Sequence, residues 1–298
     1  MMLVEVPQTY ISSYYVQLKK GSKDTLTGYV KMDGAVASHK VQLEIPGLKI
    51  KKELTTDTKG YASFEIKAKP ILWSTENPYL YQVSLSTDTD KVTDEIGFRT
   101  IETKGRQILL NGNPVFLKGI SIHEEAPFRS GRICSEEEDL TLLNWAKELG
   151  CNYVRLAHYP HNEKMVRLAE KMGLMVWSEI PVYWTIQWEN KDTYQNAHNQ
   201  LMEMIERDQN RAAVIIWSIA NETPHGEARD RFLSNLAKAA REKDNSRLLS
   251  MAMERSDKSA TVLSIQDKMS EYVDIISCNQ YLGWYDGLNE NCLLYTSD

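Results

Sequence analysis

Cysteine is scarce and scattered: Cys134, Cys151, Cys278 and Cys292 form no CxxC pair, so neither a disulfide frame nor a zinc site is indicated. They read as buried free thiols of a protein kept reduced, and the predicted location is cytoplasmic. No apolar stretch approaches the roughly 18 residues of a membrane span. The opening Met1-Met2-Leu3-Val4-Glu5-Val6-Pro7 lacks the basic and apolar segments of a signal peptide. No Lys/Arg cluster relieves a formal charge of −6, which argues against a nucleic-acid surface. A Gly-rich phosphate loop is missing, and no His/Asp/Glu group shows ligand spacing. Neither a cofactor nor a metal is predicted.

What is there divides into two rhythms. Up to about residue 100 short runs alternate apolar and polar: Tyr14–Leu18, Thr27–Val30, Val41–Ile45, Ala62–Ile66 and Leu80–Leu85. Turn pairs such as Asp33-Gly34, Pro46-Gly47 and Lys59-Gly60 separate them. Residues 1–100 therefore read as an antiparallel β-sandwich of immunoglobulin-like size. Beyond Gly97-Phe98-Arg99 strands alternate with helices, the signature of parallel βαβ units. Strands are predicted at Val115–Ile120, Asn152–Ala157, Leu174–Ser178, Ala213–Ala220, Leu248–Ala252 and Val273–Cys278. Ser135 with Glu138 forms a capping box that opens the first helix, and Gly150 and Gly173 close the first and second. The expected architecture is multidomain, with residues 101–298 forming an incomplete (β/α)8 TIM barrel of about six strands. Residues 292–298 show no pattern joining them to what precedes, and the expectation is a chain cut short before its last two strands.

Active sites of such barrels stand at the carboxyl ends of the strands. Those positions carry His123-Glu124-Glu125, then Arg155 with His158-Tyr159-Pro160-His161, then Glu179 followed by Tyr183, Trp184 and Trp188. Asn221-Glu222 ends the fourth strand, and Asn279-Gln280-Tyr281 with Trp284 and Tyr285 follows the sixth. Carboxylates, amides, histidines and flat aromatics suit a polyhydroxylated ring with apolar faces better than a phosphate. Two carboxylates across a sugar bond would make a glycosidase. Duller readings stand beside these. Asn221-Glu222 could cap the following helix, His123 and His158 could be satisfied hydrogen-bonding residues, and Glu179 reads as loop support through an Arg or backbone contact. The aromatics after the third strand read as loop packing unless they face solvent.

The chain resembles glycoside hydrolase family 2, the β-galactosidase and β-glucuronidase family. Its motifs are Leu72-Trp73-Ser74-Thr75-Glu76-Asn77-Pro78-Tyr79-Leu80-Tyr81, Gly97-Phe98-Arg99, Leu110-Asn111-Gly112 through Lys118-Gly119-Ile120, Arg155-Leu156-Ala157-His158-Tyr159-Pro160, and Trp217-Ser218-Ile219-Ala220-Asn221-Glu222. The resemblance covers residues 8 to 290 and implies cleavage of terminal β-linked sugars with retained configuration. By the family pattern Glu222 is the general acid/base and Asn221 contacts the sugar 2-hydroxyl. His158, Asn279, Tyr281, Tyr285 and His123 line the sugar subsite, with Arg155 in support. The family's nucleophile, a Glu ending the seventh strand, is expected to be absent from these residues, as is the family's amino-terminal jelly roll. The chain is therefore expected to be an inactive fragment of a retaining β-glycosidase, with galactosides placed ahead of glucuronides. The implied partners are a β-linked oligosaccharide or glycoside and, for the full-length parent, further copies of itself. A non-catalytic carbohydrate-binding or interaction fragment is the alternative.

Overall fold

The computed structural model describes residues 5–34, 38–259 and 262–281. Seven strands come first: β1 (Tyr10–Leu18), β2 (Thr25–Asp33), β3 (Lys40–Ile45), β4 (Ile50–Thr55), β5 (Tyr61–Lys67), β6 (Tyr81–Ser86) and β7 (Lys91–Ile96). They form two antiparallel sheets, ordered β1-β2-β5 and β4-β3-β6-β7. Alternation places Val16, Leu26, Val30, Leu43, Val83 and Leu85 in one buried core and leaves polar neighbours outward. This is the expected sandwich. The pattern overlooked β4 and β7, the two edges of the larger sheet, where Lys51, Lys52 and Glu53 face solvent.

A small antiparallel meander follows: β8 (Ile101–Lys104), β9 (Gln107–Leu110) and β10 (Asn113–Val115). It corrects the first barrel strand, predicted at Val115–Ile120. Val115 ends the meander, Phe116 is 78% exposed, and the strand begins at Gly119.

The second unit is a parallel sheet ordered β11-β12-β13-β14-β15-β18. Its members are β11 (Gly119–Ile122), β12 (Tyr153–Leu156), β13 (Met175–Glu179), β14 (Val214–Asn221), β15 (Leu248–Met253) and β18 (Ile275–Cys278). The hairpin β16 (Ser256–Ser259) and β17 (Val262–Ser264) is inserted before the last of them. Helices α1 (Glu136–Glu148), α2 (Glu163–Lys171), α3 (Lys191–Asp208) and α4 (Glu227–Lys243) make the crossovers. All eight residues of β14 are buried, so its unbroken apolar run covers both faces of a central strand. Ser135, Asn162 and Asn190 cap α1, α2 and α3 through side-chain oxygens on backbone N–H groups of the first turn. Gly173 ends α2 in the left-handed region (φ 69°), and a Cβ there would meet the Thr75 carbonyl oxygen at 2.4 Å. None of the described helices is long and apolar enough to cross a membrane. Cys151 is buried, but Cys134 is exposed, against the expectation of buried thiols.

The sandwich closes the amino-terminal end of the barrel. Trp73 is fully buried within the barrel core, and its indole N–H donates to the Glu170 carbonyl at 3.0 Å. Gly97 stands where a Cβ would lie 2.8 Å from Ala212 Cβ and 2.9 Å from Trp73 Cδ1, so the two units meet at backbone distance. Arg99 donates to the carbonyls of Ala212 (3.0 Å), Ser246 (3.1 Å) and Val214 (2.6 Å), and Arg247 to those of Val214, Gln209 and Arg211. Arg211, also buried, bridges Asp94 of the sandwich and Glu170 of α2, and Tyr14 donates to Asp94 at 2.7 Å. Desolvation would raise Asp94, yet Arg211 and Arg167 hold its carboxyl below the usual range. Two family motifs, around Trp73 and Gly97, are thus interface residues.

Candidate active site

At the other end of the barrel four strands deliver one connected cluster. Glu179, the last residue of β13, is 1% exposed and would be a costly buried charge if unpaired. Arg155 on β12 donates to its Oε2 through Nε (3.3 Å) and Nη2 (3.1 Å), and Nη2 lies 3.2 Å from Oε1. Trp177 Nε1 (2.9 Å) and Ser218 Oγ (3.2 Å) also donate to Oε2, and His158 Nδ1 stands 2.6 Å from Oε1. Burial pushes the Glu179 carboxyl up, but the His158 hydrogen bond and the Arg155 charge outweigh it and leave the group below its ordinary range. Glu179 is therefore an ionised anchor with both oxygens engaged. A carboxylate only accepts, so His158 carries its proton on Nδ1 when neutral, and Nε2 becomes its acceptor.

The anchor orders the next residue along. Arg155 Nη2 donates to Asn221 Oδ1 at 2.7 Å, and Asn279 Nδ2 donates to the same oxygen at 2.9 Å. Arg155 Nη1 in turn holds Asn279 Oδ1 at 2.8 Å. With its oxygen fixed by two donors, the Asn221 amide has one orientation, and its NH2 is turned toward Glu222 Oε2 at 3.4 Å. Glu222 itself is half-buried and sits just past β14 with φ 47°, its N–H donating to the Ala252 carbonyl of β15 at 2.8 Å. That left-handed turn lifts the side chain off the strand. Tyr281 donates to Glu222 Oε1 at 2.8 Å, and burial together with the Glu222 carboxylate raises the phenol, which keeps its proton.

Aromatic rings border this cluster. His123, exposed on the loop after β11, packs edge-on to His158 at 5.3 Å, and Tyr183 lies 6.1 Å from His158. The structure thus brings together Arg155, His158, Asn221, Glu222, Asn279 and Tyr281, with His123 at the rim; Tyr285 lies outside the described residues. Sequence reasoning missed Trp177 and Ser218 as donors to Glu179. Trp177 stands two residues before Glu179 on the same strand, where alternation puts both on one face, whereas Ser218 is brought to the carboxylate only by the parallel pairing of β13 with β14, Glu179 opposite Ser218. A cavity of about 630 Å³ by the first turns of α3 and α4 is lined by Trp188, Asn190, Tyr194, Arg231, Phe232 and Asn235, and includes none of the cluster. Among the described residues no group of three or more His, Cys, Asp or Glu side chains is placed to hold a metal.

Comparison with known proteins matches both units of the chain. The sequence model described as "Glycosyl hydrolases family 2, TIM barrel domain" matches residues 101–294, and that described as "Glycosyl hydrolases family 2" matches residues 9–99. A β-glucuronidase of Streptococcus agalactiae is 32% identical over 240 residues, covering 72% of this chain and 38% of the relative. The human β-glucuronidase is 29% identical over 303 residues, covering 95% of this chain and 44% of the relative. A solved family 2 β-galacturonidase from Eisenbergiella tayi superposes with a TM-score of 0.81 at 26% identity, over 98% of this chain and 53% of the other. The chain spans less than half the length of these two curated relatives. With both of its units matched and its barrel superposed on a solved member, the chain belongs to glycosyl hydrolases family 2.

Proposed function

We propose that this face is the acid/base half of a retaining β-glycosidase site acting on terminal β-linked sugars. The observation that carries the reading is the pair Asn221-Glu222, with an amide of fixed orientation beside a carboxylate on a left-handed turn. Glu222 gives its proton to the glycosidic oxygen as the bond from the anomeric carbon to that oxygen breaks, while a second carboxylate attacks the same carbon. In the second step Glu222 takes a proton from water, which displaces that carboxylate and restores the original configuration. Asn221 Nδ2 is placed to donate to the sugar 2-hydroxyl, a bond that tightens as positive charge builds on the ring. His158 offers Nε2 to a further hydroxyl, and Tyr281, His123, Asn279 and Tyr285 complete the subsite. Glu179 does not serve as the nucleophile, because Arg155, His158, Trp177 and Ser218 already use its oxygens and it is 1% exposed. That carboxylate comes from outside the described residues.

Among substrates, β-glucuronides now stand ahead of β-galactosides, reversing the sequence-based order. The support is the naming of the relatives quoted above and of the β-galacturonidase, all of which act on uronides by their names. In the catalytically competent protein, Glu222→Gln should lower hydrolysis of alkyl glycosides by about 10²–10⁴-fold and spare those with nitrophenolate-type leaving groups, the usual worth of a general acid. Equal losses on both leaving groups would remove the acid role. Turnover by the 298-residue chain on its own would place the second carboxylate within it.

A further inference from the structure

Trp184 is the most exposed of the described tryptophans. Trp73, Trp177 and Trp217 are buried, Trp188 is half-buried and Trp145 is 41% exposed, whereas Trp184 is 64% exposed. Its backbone adopts φ 55°, a left-handed conformation that a bulky side chain seldom takes and a glycine takes freely. The segment is nevertheless held firmly. Asn221 N–H donates to the Val182 carbonyl at 2.9 Å, Trp184 N–H donates to the Asn221 carbonyl at 3.1 Å, and Tyr183 bridges Asn221 in parallel register. The indole contributes nothing to the core, yet its main chain is stitched to the residue preceding Glu222. Ring contacts link the indole to the cluster: His158 to Tyr183 at 6.1 Å, and Tyr183 to Trp184 edge-on at 5.5 Å. A strained backbone that keeps a large flat ring in solvent beside the acid points to use of that ring.

We propose that Trp184, backed by Tyr183, is the platform on which the leaving group stacks, making it a specificity-determining residue for aglycones with a flat aromatic face. The inference rests on the assignment of Glu222 as the acid, since the group that accepts its proton lies on that side of the broken bond. An indole presents its π face to an aryl ring but has little to grip on a methyl group. Trp184 therefore selects among leaving groups without touching the sugar.

The test uses the 298-residue chain and isothermal titration with phenyl and methyl β-D-glucuronide. The wild-type chain should bind the phenyl glycoside about 3- to 10-fold more tightly, the range of one aromatic pair. Trp184→Gly should bring the phenyl glycoside down to the methyl level, leave the methyl glycoside unchanged, and unfold no earlier than wild type because glycine relaxes the φ. Trp184→Phe should keep most of the preference. A preference that survives Trp184→Gly, or a wild-type chain with no preference, overturns the proposal. Asn221→Ala reports separately on the sugar subsite. It should weaken both ligands alike, and if it weakens neither, the sugar reading fails while the Trp184 result stands on its own.

Discussion

The two ends of the barrel are built from the same materials and put to different use. At the amino-terminal end Arg211 joins Asp94 and Glu170, while Arg99 and Arg247 fill the floor with carbonyl contacts, all beneath the sandwich. At the carboxyl-terminal end Arg155 joins Glu179, Asn221 and Asn279, but the next residue, Glu222, remains half-buried with one described donor on each oxygen. A closed network of this kind holds two units together. An open one holds the proposed acid in place. The difference lies in what covers the ends rather than in residue type.

Breaking the closed end should cost the most stability. Arg211→Met leaves Asp94 and Glu170 buried without their shared cation, and the expected loss is about 3–5 kcal/mol in urea unfolding. Arg155→Met at the open end should cost less, about 1–3 kcal/mol, because its other donors to Glu179 remain, yet it should abolish binding of a methyl β-glycoside. Equal destabilisation by both would erase the contrast.

Titration should separate the ends by sign. Asp244, beneath the barrel, is raised by desolvation but lowered further by Arg247 and Ser246, to about 2. Its contribution is present above the unfolded value near 4 and is lost as pH falls toward 2, worth about 2 kcal/mol. Asp139, buried at the start of α1 beside Asn162, is pushed up to about 6, chiefly by desolvation. Its native state binds the proton more tightly, so stability present below pH 4 is lost as pH rises through 6. Unfolding midpoints of Asp244→Asn should therefore approach wild type at low pH, and those of Asp139→Asn should overtake it above pH 6. Matching pH slopes in the two variants would contradict this. The smallest effect is expected from Tyr281→Phe, which removes one hydrogen bond from Glu222: kcat/KM in the competent protein should fall about fivefold, near 1 kcal/mol, with no change in melting temperature.

Much of this was legible from sequence where local chemistry decides the outcome. Gly173 suits the C′ position of the helix it ends, and the apolar run before Asn221, short and β-branched, reads as a covered strand. The two edge strands of the larger sheet were not legible: Ile50–Thr55 and Lys91–Ile96 carry so much charge that only pairing with β3 and β6 reveals them. The start of β11 was misplaced because Val115-Phe116-Leu117 is apolar, although Phe116 covers nothing. At the site, side chains directly after strands could be named one by one. Their wiring through Arg155 could not, because it depends on the register between β12, β13 and β14. Nor does any local pattern announce a tryptophan with positive φ.

Product analysis of Glu222→Ala in the competent protein, with a dinitrophenyl β-glycoside and azide, bears straight on the acid/base role of Glu222. An activated leaving group departs without the acid, and azide then replaces the water that Glu222 would have deprotonated. The expected product is a β-configured glycosyl azide, from a variant that melts with wild type. An α-configured azide, no azide product at all, or a variant that unfolds as early as Arg211→Met would contradict it.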